Sequence, residues 1–288
     1  MDNVKKVGQS IIDFLLYSHL FIAFCAIAMT AQTFFLLDYD WQLAWPLLLL
    51  VFSATLVVYA LHRLISLDKI KKSLHTQRYK TIRRYALHIK VYAAVAMLLG
   101  VFSFFYLQRV TQFLLILPAL LSVGYVVPFL GGQKKRLRDI NFIKIFLIAG
   151  VWAYVTVCLP FAELGLLHTS KLWYWGVERA IFIFIITLPF DIRDWEIDKA
   201  AGVQTLPATL GVQATLILVT ILTIVWLILV FLLYPLSIFY GLLVSGLTTY
   251  LLVLRSPKQS NDYYFTAVMD GTMLIQFLLV LVSVLVLK

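Results

Sequence analysis

Long apolar segments separated by short polar connections dominate the sequence. A membrane-spanning helix needs roughly 20 mostly apolar residues, and nine segments satisfy that length: 11–37, 42–67, 84–107, 110–130, 142–166, 172–191, 212–234, 236–254 and 264–287. Because lipid cannot satisfy open backbone polar groups, we expect each segment to be a full-length helix. The pattern predicts an all-α polytopic bundle of about nine transmembrane helices, in a single integral membrane domain over residues 1–288.

Composition agrees with a membrane protein, since 62% of the 288 residues are hydrophobic and 13% are charged. A soluble domain is about half apolar and about a quarter charged. The N-terminal apolar segment is too long for a signal peptide and is expected to remain as the first span. Cys25 and Cys158 lie inside apolar segments without a CxxC partner, which indicates neither a disulfide nor a metal site.

Basic residues account for a net charge of +10, and they concentrate in alternate connections. This asymmetry predicts a cytoplasmic N-terminus and an outside C-terminus, and contact with anionic lipid explains the charge without a nucleic-acid partner. The polar residues that border the spans are all expected at the cytoplasmic ends of their helices: Asp13, His62, Arg63, His88, Lys90, Asp191 and Asp270. A transporter would place such residues near the midplane beside broken helices, so a transporter is disfavoured.

Three carboxylates follow the sixth apolar segment, in the run DIRDWEIDKAAGVQTLP from Asp191 to Pro207. At about 100° per residue, Asp191, Asp194 and Asp198 fall at about 0°, −60° and −20° on a helix, so they share one face. Three like charges on one face repel unless a cation lies among them, and clustered oxygen ligands suit Mg²⁺. The alternative is a solvated helix end, but acidic groups at membrane depth favour a functional site.

The same run resembles the second aspartate-rich motif of the UbiA-type intramembrane prenyltransferases. The spacing DxxDxxxD is met by Asp191, Asp194 and Asp198, and Gly202 and the Thr205-Leu206-Pro207 triplet follow. Weaker similarity extends to YVVPF (Tyr125 to Phe129), QKKRLRD (Gln133 to Asp139) and the following FIKIFLIAGVWAYVTVCLP. The resemblance implies that the three aspartates hold Mg²⁺ (or Mn²⁺) against a polyprenyl diphosphate. An aromatic or other lipophilic acceptor would then take the prenyl group from its diphosphate.

The first aspartate-rich motif of that family, NxxxDxxxD, is degenerate in this chain. When the His62-Arg63 pair is aligned with the family's Asp-Arg pair, the three motif positions fall on Val58, His62 and Ser66. The next aspartate, Asp68, lies two residues after the third motif position. Half of the metal site that the resemblance implies is therefore missing. Cationic and polar side chains are candidates to hold the diphosphate directly: Arg63, Lys134, Arg136, Arg138, Lys199 and Tyr125.

The sequence thus predicts a membrane prenyltransferase assisted by Mg²⁺. A non-catalytic protein that binds isoprenoid lipids with half of the site is the main alternative, and a transporter is the third hypothesis. Asp270, followed by Gly271, is interpreted either as a supporting group of the site or as the partner of a basic residue.

Overall fold

Every regular element in the described part of the chain is a helix, which confirms the predicted all-α class. The computed structural model describes residues 11–39, 41–69, 85–128, 136–200, 202–259 and 261–287, without the side chains of residues 41, 42, 64–69, 197 and 200. The helices are α1 (Ile11–Tyr17), α2 (Leu20–Leu36), α3 (Trp41–Lys69), α4 (Ala86–Phe104), α5 (Arg109–Leu114), α6 (Ile116–Val126), α7 (Ile143–Ala153), α8 (Leu159–Glu163), α9 (Ser170–Ala200), α10 (Leu206–Leu210), α11 (Val212–Leu233), α12 (Leu236–Arg255) and α13 (Asp270–Leu287).

Seven spans in the described residues are long and apolar enough to cross a membrane, or eight if the bent pair α1 and α2 is one span. The predicted number of nine is therefore approximate. The predicted span 172–191 lies within α9, which carries ionisable residues and is not among the seven. Large apolar side chains such as Leu98, Phe113 and Leu232 are exposed on the outside of the bundle, as expected of surfaces that face lipid. The chain is an integral membrane protein.

The helices pack in an order that closes on itself. Contacts run from α3 through α2 to α13, and then through α12, α11 and α9 to α7, while α4 packs against α3. Helix α6 contacts both α3 and α7, which completes the ring. The closed arrangement brings the end of α9, the beginning of α7, and the ends of α3 and α6 to one end of the bundle, which we call the site end.

Four of the predicted spans are irregular. The expectation of a single full-length helix is wrong for the first, whereas the fourth, which divides at Leu115 between α5 and α6, the fifth and the last are still long enough to cross a membrane. The first bends by 60° between α1 and α2, where His19 has a φ of 68°. The fifth and the last contain π-helical turns at Tyr154–Cys158 and Tyr264–Met269. Side chains from other helices satisfy backbone carbonyls at two of these irregularities: Tyr92 Oη donates to the Ser18 carbonyl at 2.5 Å, and Thr33 Oγ1 donates to the Thr156 carbonyl at 2.7 Å. One broken span, α1 with α2, is therefore present among the described residues, so an absence of broken helices no longer disfavours a transporter.

A buried ionisable pair in α9 also departs from the expectation that such residues gather at one end. Glu178 and Arg179 are each 1% exposed. Trp226 Nε1 donates to Glu178 Oε1 at 2.6 Å, and Arg179 Nη1 donates to the Met29 carbonyl at 2.8 Å. The pair lies thirteen residues before Asp191, roughly 20 Å along the helix axis. These bonds join α9 to α11 and α2 inside the bundle.

Candidate functional site

Helix α9 continues without interruption through Pro189 and the acidic run, and it ends at Ala200. The three aspartates therefore project from one rigid element. Asp191 is 1% exposed and Asp198 is 7% exposed, whereas Asp194 is only partly buried. Buried carboxylates need charged or hydrogen-bonding partners. In this acidic stripe of Asp191, Asp194 and Asp198, the structure supplies one partner shared by Asp191 and Asp198 and a different one to Asp194.

Lys144, near the beginning of α7, lies between two of the aspartates. Its Nζ is 2.7 Å from Asp191 Oδ1 and 3.0 Å from Asp198 Oδ2. The lysine side chain is 9% exposed, and those of the two aspartates are 2% and 10% exposed. This is the cation that the repulsion among the carboxylates requires, and the chain provides it from another helix.

The loop that follows α9 fixes the position of Lys144. Gly202 has a φ of 73°, which favours glycine, and it lets the chain turn back after the helix. Two hydrogen bonds then join this loop to the start of α7: the Phe142 amide donates to the Gln204 carbonyl at 2.9 Å, and the Gln204 amide donates to Asn141 Oδ1 at 3.0 Å. The segment GVQTLP after the acidic run thus holds α7 against α9.

Asp194 has a different partner, because Arg193 folds back onto it. Arg193 Nε and Nη2 donate to the two carboxylate oxygens of Asp194 at 2.7 and 2.9 Å. Arg193 Nη1 also lies 3.6 Å from Asp262 Oδ1, and its guanidinium stands 4.8 Å from the centre of the Phe265 ring. Asp270 lies within electrostatic range of the same guanidinium. Arg193 therefore connects α9 with the segment that leads into α13.

A basic and aromatic group lies beside this acidic one at the site end. Arg138 Nη1 is 2.6 Å from His62 Nε2, and the guanidinium stands 5.4 Å from the centre of the Tyr125 ring. Because a guanidinium only donates, His62 Nε2 is the acceptor in this contact. Tyr125 also lies within electrostatic range of Lys144, so the two groups adjoin. Arg63 is buried and its Nε donates to His19 Nε2 at 3.5 Å.

The remaining predicted residues are distributed less closely. Arg136 donates through Nη2 to Asp139 Oδ1 at 2.8 Å. Burial alone would raise the pKa of Asp139, but the hydrogen bonds from Arg136 outweigh it and lower the pKa, so this carboxylate stays ionised. Lys199 is exposed and stands 5.7 Å from the centre of the Trp195 ring, away from the Lys144 contacts. Lys134 and the side chain of Asp68 lie outside the described residues.

Sequence reasoning missed Lys144, although a signal was present. It is a lysine inside the apolar run FIKIF, and an ionisable residue in such a run needs a partner within the protein. The buried pair Glu178 and Arg179 was missed as well, although these ionisable residues also lie within an apolar segment. The pairing of Arg193 with its neighbour Asp194 had no such signal, because adjacent residues on a helix point in different directions.

Solved structures with the same arrangement of helices identify the fold. The chain superposes on a structure of a UbiA homologue from Archaeoglobus fulgidus bound to GPP and Mg²⁺ with a TM-score of 0.61 at 12% identity, over 94% of this chain and 99% of that chain. A structure of a UbiA homologue from Archaeoglobus fulgidus bound to DMAPP and Mg²⁺ matches with a TM-score of 0.60 at 13% identity, over 95% of this chain and 99% of that chain.

The chain has the UbiA-type fold. A digeranylgeranylglyceryl phosphate synthase structure also matches, with a TM-score of 0.58 at 14% identity over 96% of this chain and 99% of that chain. No protein-family model and no curated protein sequence matches this chain. The likeness therefore lies in the fold of the chain, and the chemistry has to be argued from its own side chains.

The side chains at the site end do not fit a divalent metal as they are arranged. The ammonium of Lys144 takes the place between Asp191 and Asp198 that a shared cation would need, and Asp194 is held by Arg193. Among the described residues, no group of three His, Cys, Asp or Glu side chains is placed to hold a metal ion. At the first motif, the Nε2 atom of His62 faces a guanidinium. Metal binding by the three aspartates thus stays a prediction from the sequence.

Proposed function

We propose that this chain is an intramembrane prenyltransferase that binds a polyprenyl diphosphate at the site end and transfers the prenyl group to a lipophilic acceptor. One observation carries the proposal: in a UbiA-type bundle, the acidic stripe of α9 adjoins fixed cations, Lys144 and Arg138, at the same end. The fold supports it, since solved structures with this fold were determined with GPP or DMAPP bound.

The chemistry requires that negative charge be stabilised on a leaving group. The bond between the first prenyl carbon and its oxygen breaks, and the electron pair leaves with the diphosphate. The acceptor's electron pair then forms a new bond to that carbon, and the acceptor loses a proton to the solvent or the diphosphate. Fixed cations at the leaving group favour this separation of charge, because they need no reorganisation as the charge develops. Lys144 and Arg138 are the candidates for this role.

A non-catalytic protein that binds isoprenoid lipids is the second candidate, and one observation favours it. The carboxylates that would recruit a metal already contact side-chain cations, Lys144 at Asp191 and Asp198 and Arg193 at Asp194. Such a protein would hold the prenyl diphosphate without breaking its carbon–oxygen bond. Both candidates place the same ligand at the same end of the bundle.

The membrane orientation belongs to the proposal as well. The alternation of basic connections favours a cytoplasmic site end, a cytoplasmic N-terminus and an outside C-terminus. A cytoplasmic site end suits the ligand, because a charged diphosphate reaches the site from water while its prenyl chain stays among apolar helices.

A turnover assay separates the candidates without knowledge of the acceptor. Purified protein is incubated with radiolabelled GPP and a membrane lipid extract, with Mg²⁺ or with EDTA, and pyrophosphate release and labelled products are measured. An Asp191→Asn variant is compared with Glu196→Gln, which changes an exposed acid on the same helix. Products from wild type and Glu196→Gln that are lost in Asp191→Asn support the enzyme. Binding of labelled GPP to the same protein is measured in parallel by filtration: binding without any product favours the second candidate, and no binding refutes both.

A further inference from the structure

Lys144 is built into the bundle as a partner of the acidic stripe. Its backbone position is set by the hydrogen bonds between the loop after α9 and the start of α7. Its side chain and those of Asp191 and Asp198 are nearly buried, so their charges interact with little screening by water. The position of the ammonium is therefore a property of the packed helices and not of a mobile surface chain.

A divalent cation and this ammonium compete for the same oxygens. Asp191 Oδ1 and Asp198 Oδ2 both lie within 3.0 Å of one nitrogen atom, so an ion shared by those oxygens would meet Lys144 at close range. Two cations so close together repel strongly in a buried site. A divalent ion could bind there only if the Lys144 side chain moved away. Its ion pairs with Asp191 and Asp198 oppose that movement.

The first motif shows the same replacement independently. Where the family resemblance implies aspartate, this chain has His62, and its Nε2 accepts a bond from Arg138 at 2.6 Å. That nitrogen is therefore engaged with a cation and is not free for a metal. Both halves of the site thus contain side-chain cations at the positions where the resemblance implies metal ions.

The ammonium also retains the capacity to bind an anion. A lysine ammonium carries three N–H donors; one of them donates to Asp198 Oδ2, and the ammonium forms an ion pair with Asp191 Oδ1 at 2.7 Å. A remaining N–H can donate to an oxygen of a diphosphate, with the guanidinium of Arg138 as a second donor on the adjoining side of Tyr125. A fixed lysine would in this way bridge the acidic stripe and the head group.

We propose that Lys144 is the permanent counter-cation of Asp191 and Asp198, and that this chain binds a prenyl diphosphate head group without a divalent metal. The part on the head group rests on the proposed function. The part on the metal does not, because it concerns only contacts within the chain. Removal of Lys144 should convert the acidic stripe into a site that does bind a divalent ion.

The metal part is tested first, on purified full-length protein in detergent without any prenyl ligand. Mn²⁺ is titrated, and free Mn²⁺ is followed by electron paramagnetic resonance. Wild type and Lys90→Met, which removes an exposed lysine, should leave Mn²⁺ free, whereas Lys144→Met should bind it and Lys144→Met/Asp198→Asn should not. Tight Mn²⁺ binding by wild type that is lost in Asp191→Asn would overturn the proposal. This outcome is measured on wild type and Asp191→Asn alone, so it can be obtained even if the Lys144 variants do not fold.

The head-group part is tested with GPP, in EDTA and in Mg²⁺. Wild-type affinity should be the same in both, and Lys144→Met should lose at least about tenfold in EDTA and recover it in Mg²⁺. Wild-type binding that disappears in EDTA would overturn metal-independent binding while leaving the proposed function intact. If wild type binds no GPP in either condition, the proposed function and the head-group part both fail, and the Mn²⁺ titration still decides the role of Lys144.

Discussion

Replacing Lys144 by methionine should destabilise the ligand-free protein strongly. Methionine keeps most of the side-chain volume but leaves Asp191 and Asp198, 2% and 10% exposed, without their ammonium. Removing one partner of a buried ion pair costs about 3–5 kcal/mol, because the remaining charge is buried without compensation. Two carboxylates face each other in this variant, so we expect the upper part of that range. The matching fall in the unfolding temperature is on the order of 10 °C.

The measurement is thermal unfolding in detergent, followed by tryptophan fluorescence, with EDTA present throughout. Lys90→Met serves as the control, since an exposed lysine outside any such cluster should change stability by less than about 0.5 kcal/mol. Adding Asp198→Asn to Lys144→Met should restore part of the loss, because one uncompensated charge is removed. If Lys144→Met unfolds at the wild-type temperature, the buried triad does not exist in solution and the reasoning is refuted.

Three further predictions concern the bundle. Gly241→Ala should destabilise it, because a Cβ there would lie 2.6 Å from the Leu279 carbonyl oxygen; Gly150→Ala, which meets nothing within 4 Å, is the control, and equal unfolding temperatures would contradict the close contact. Trp226→Phe should cost about 1–3 kcal/mol in the same assay, because it removes the donor to the buried Glu178, and an unchanged unfolding temperature would show that the bond contributes nothing. Alkaline phosphatase fused to the C-terminus should be active in a bacterial host and a fluorescent protein fused there should be dark, whereas the reverse would place the C-terminus in the cytoplasm.

The helical class and the common face of the acidic stripe could be predicted from the sequence, because both follow from local periodicity. Apolar length determines which segments cross a membrane, and the spacing of Asp191, Asp194 and Asp198 determines their direction on any regular helix. The structure keeps all three on α9. Local reasoning succeeded here because no information from distant parts of the chain was required.

The irregular turns and the partners of the stripe could not be predicted in this way. The bend at His19 depends on a left-handed backbone conformation, which is uncommon at any residue other than glycine. The contact of Lys144 with α9 depends on how a later loop returns to the start of α7, which is a long-range pairing. A lysine in an apolar run signals that a partner exists but does not say which one. The prediction of a metal ion at the three aspartates therefore did not take account of Lys144, which competes with a metal for the same carboxylates.

The binding of the diphosphate head group is tested most directly by comparing two ligands on wild type and one variant. Calorimetric titration is carried out with GPP and with the same prenyl chain lacking the diphosphate. Wild type should bind GPP much more tightly than the ligand without the diphosphate. Arg138→Gln should weaken the binding of GPP by roughly 10–100-fold, the loss expected for a charged hydrogen bond, and should leave the affinity for the uncharged ligand unchanged. Equal affinities of wild type for the two ligands would contradict a head-group site formed by Lys144 and Arg138.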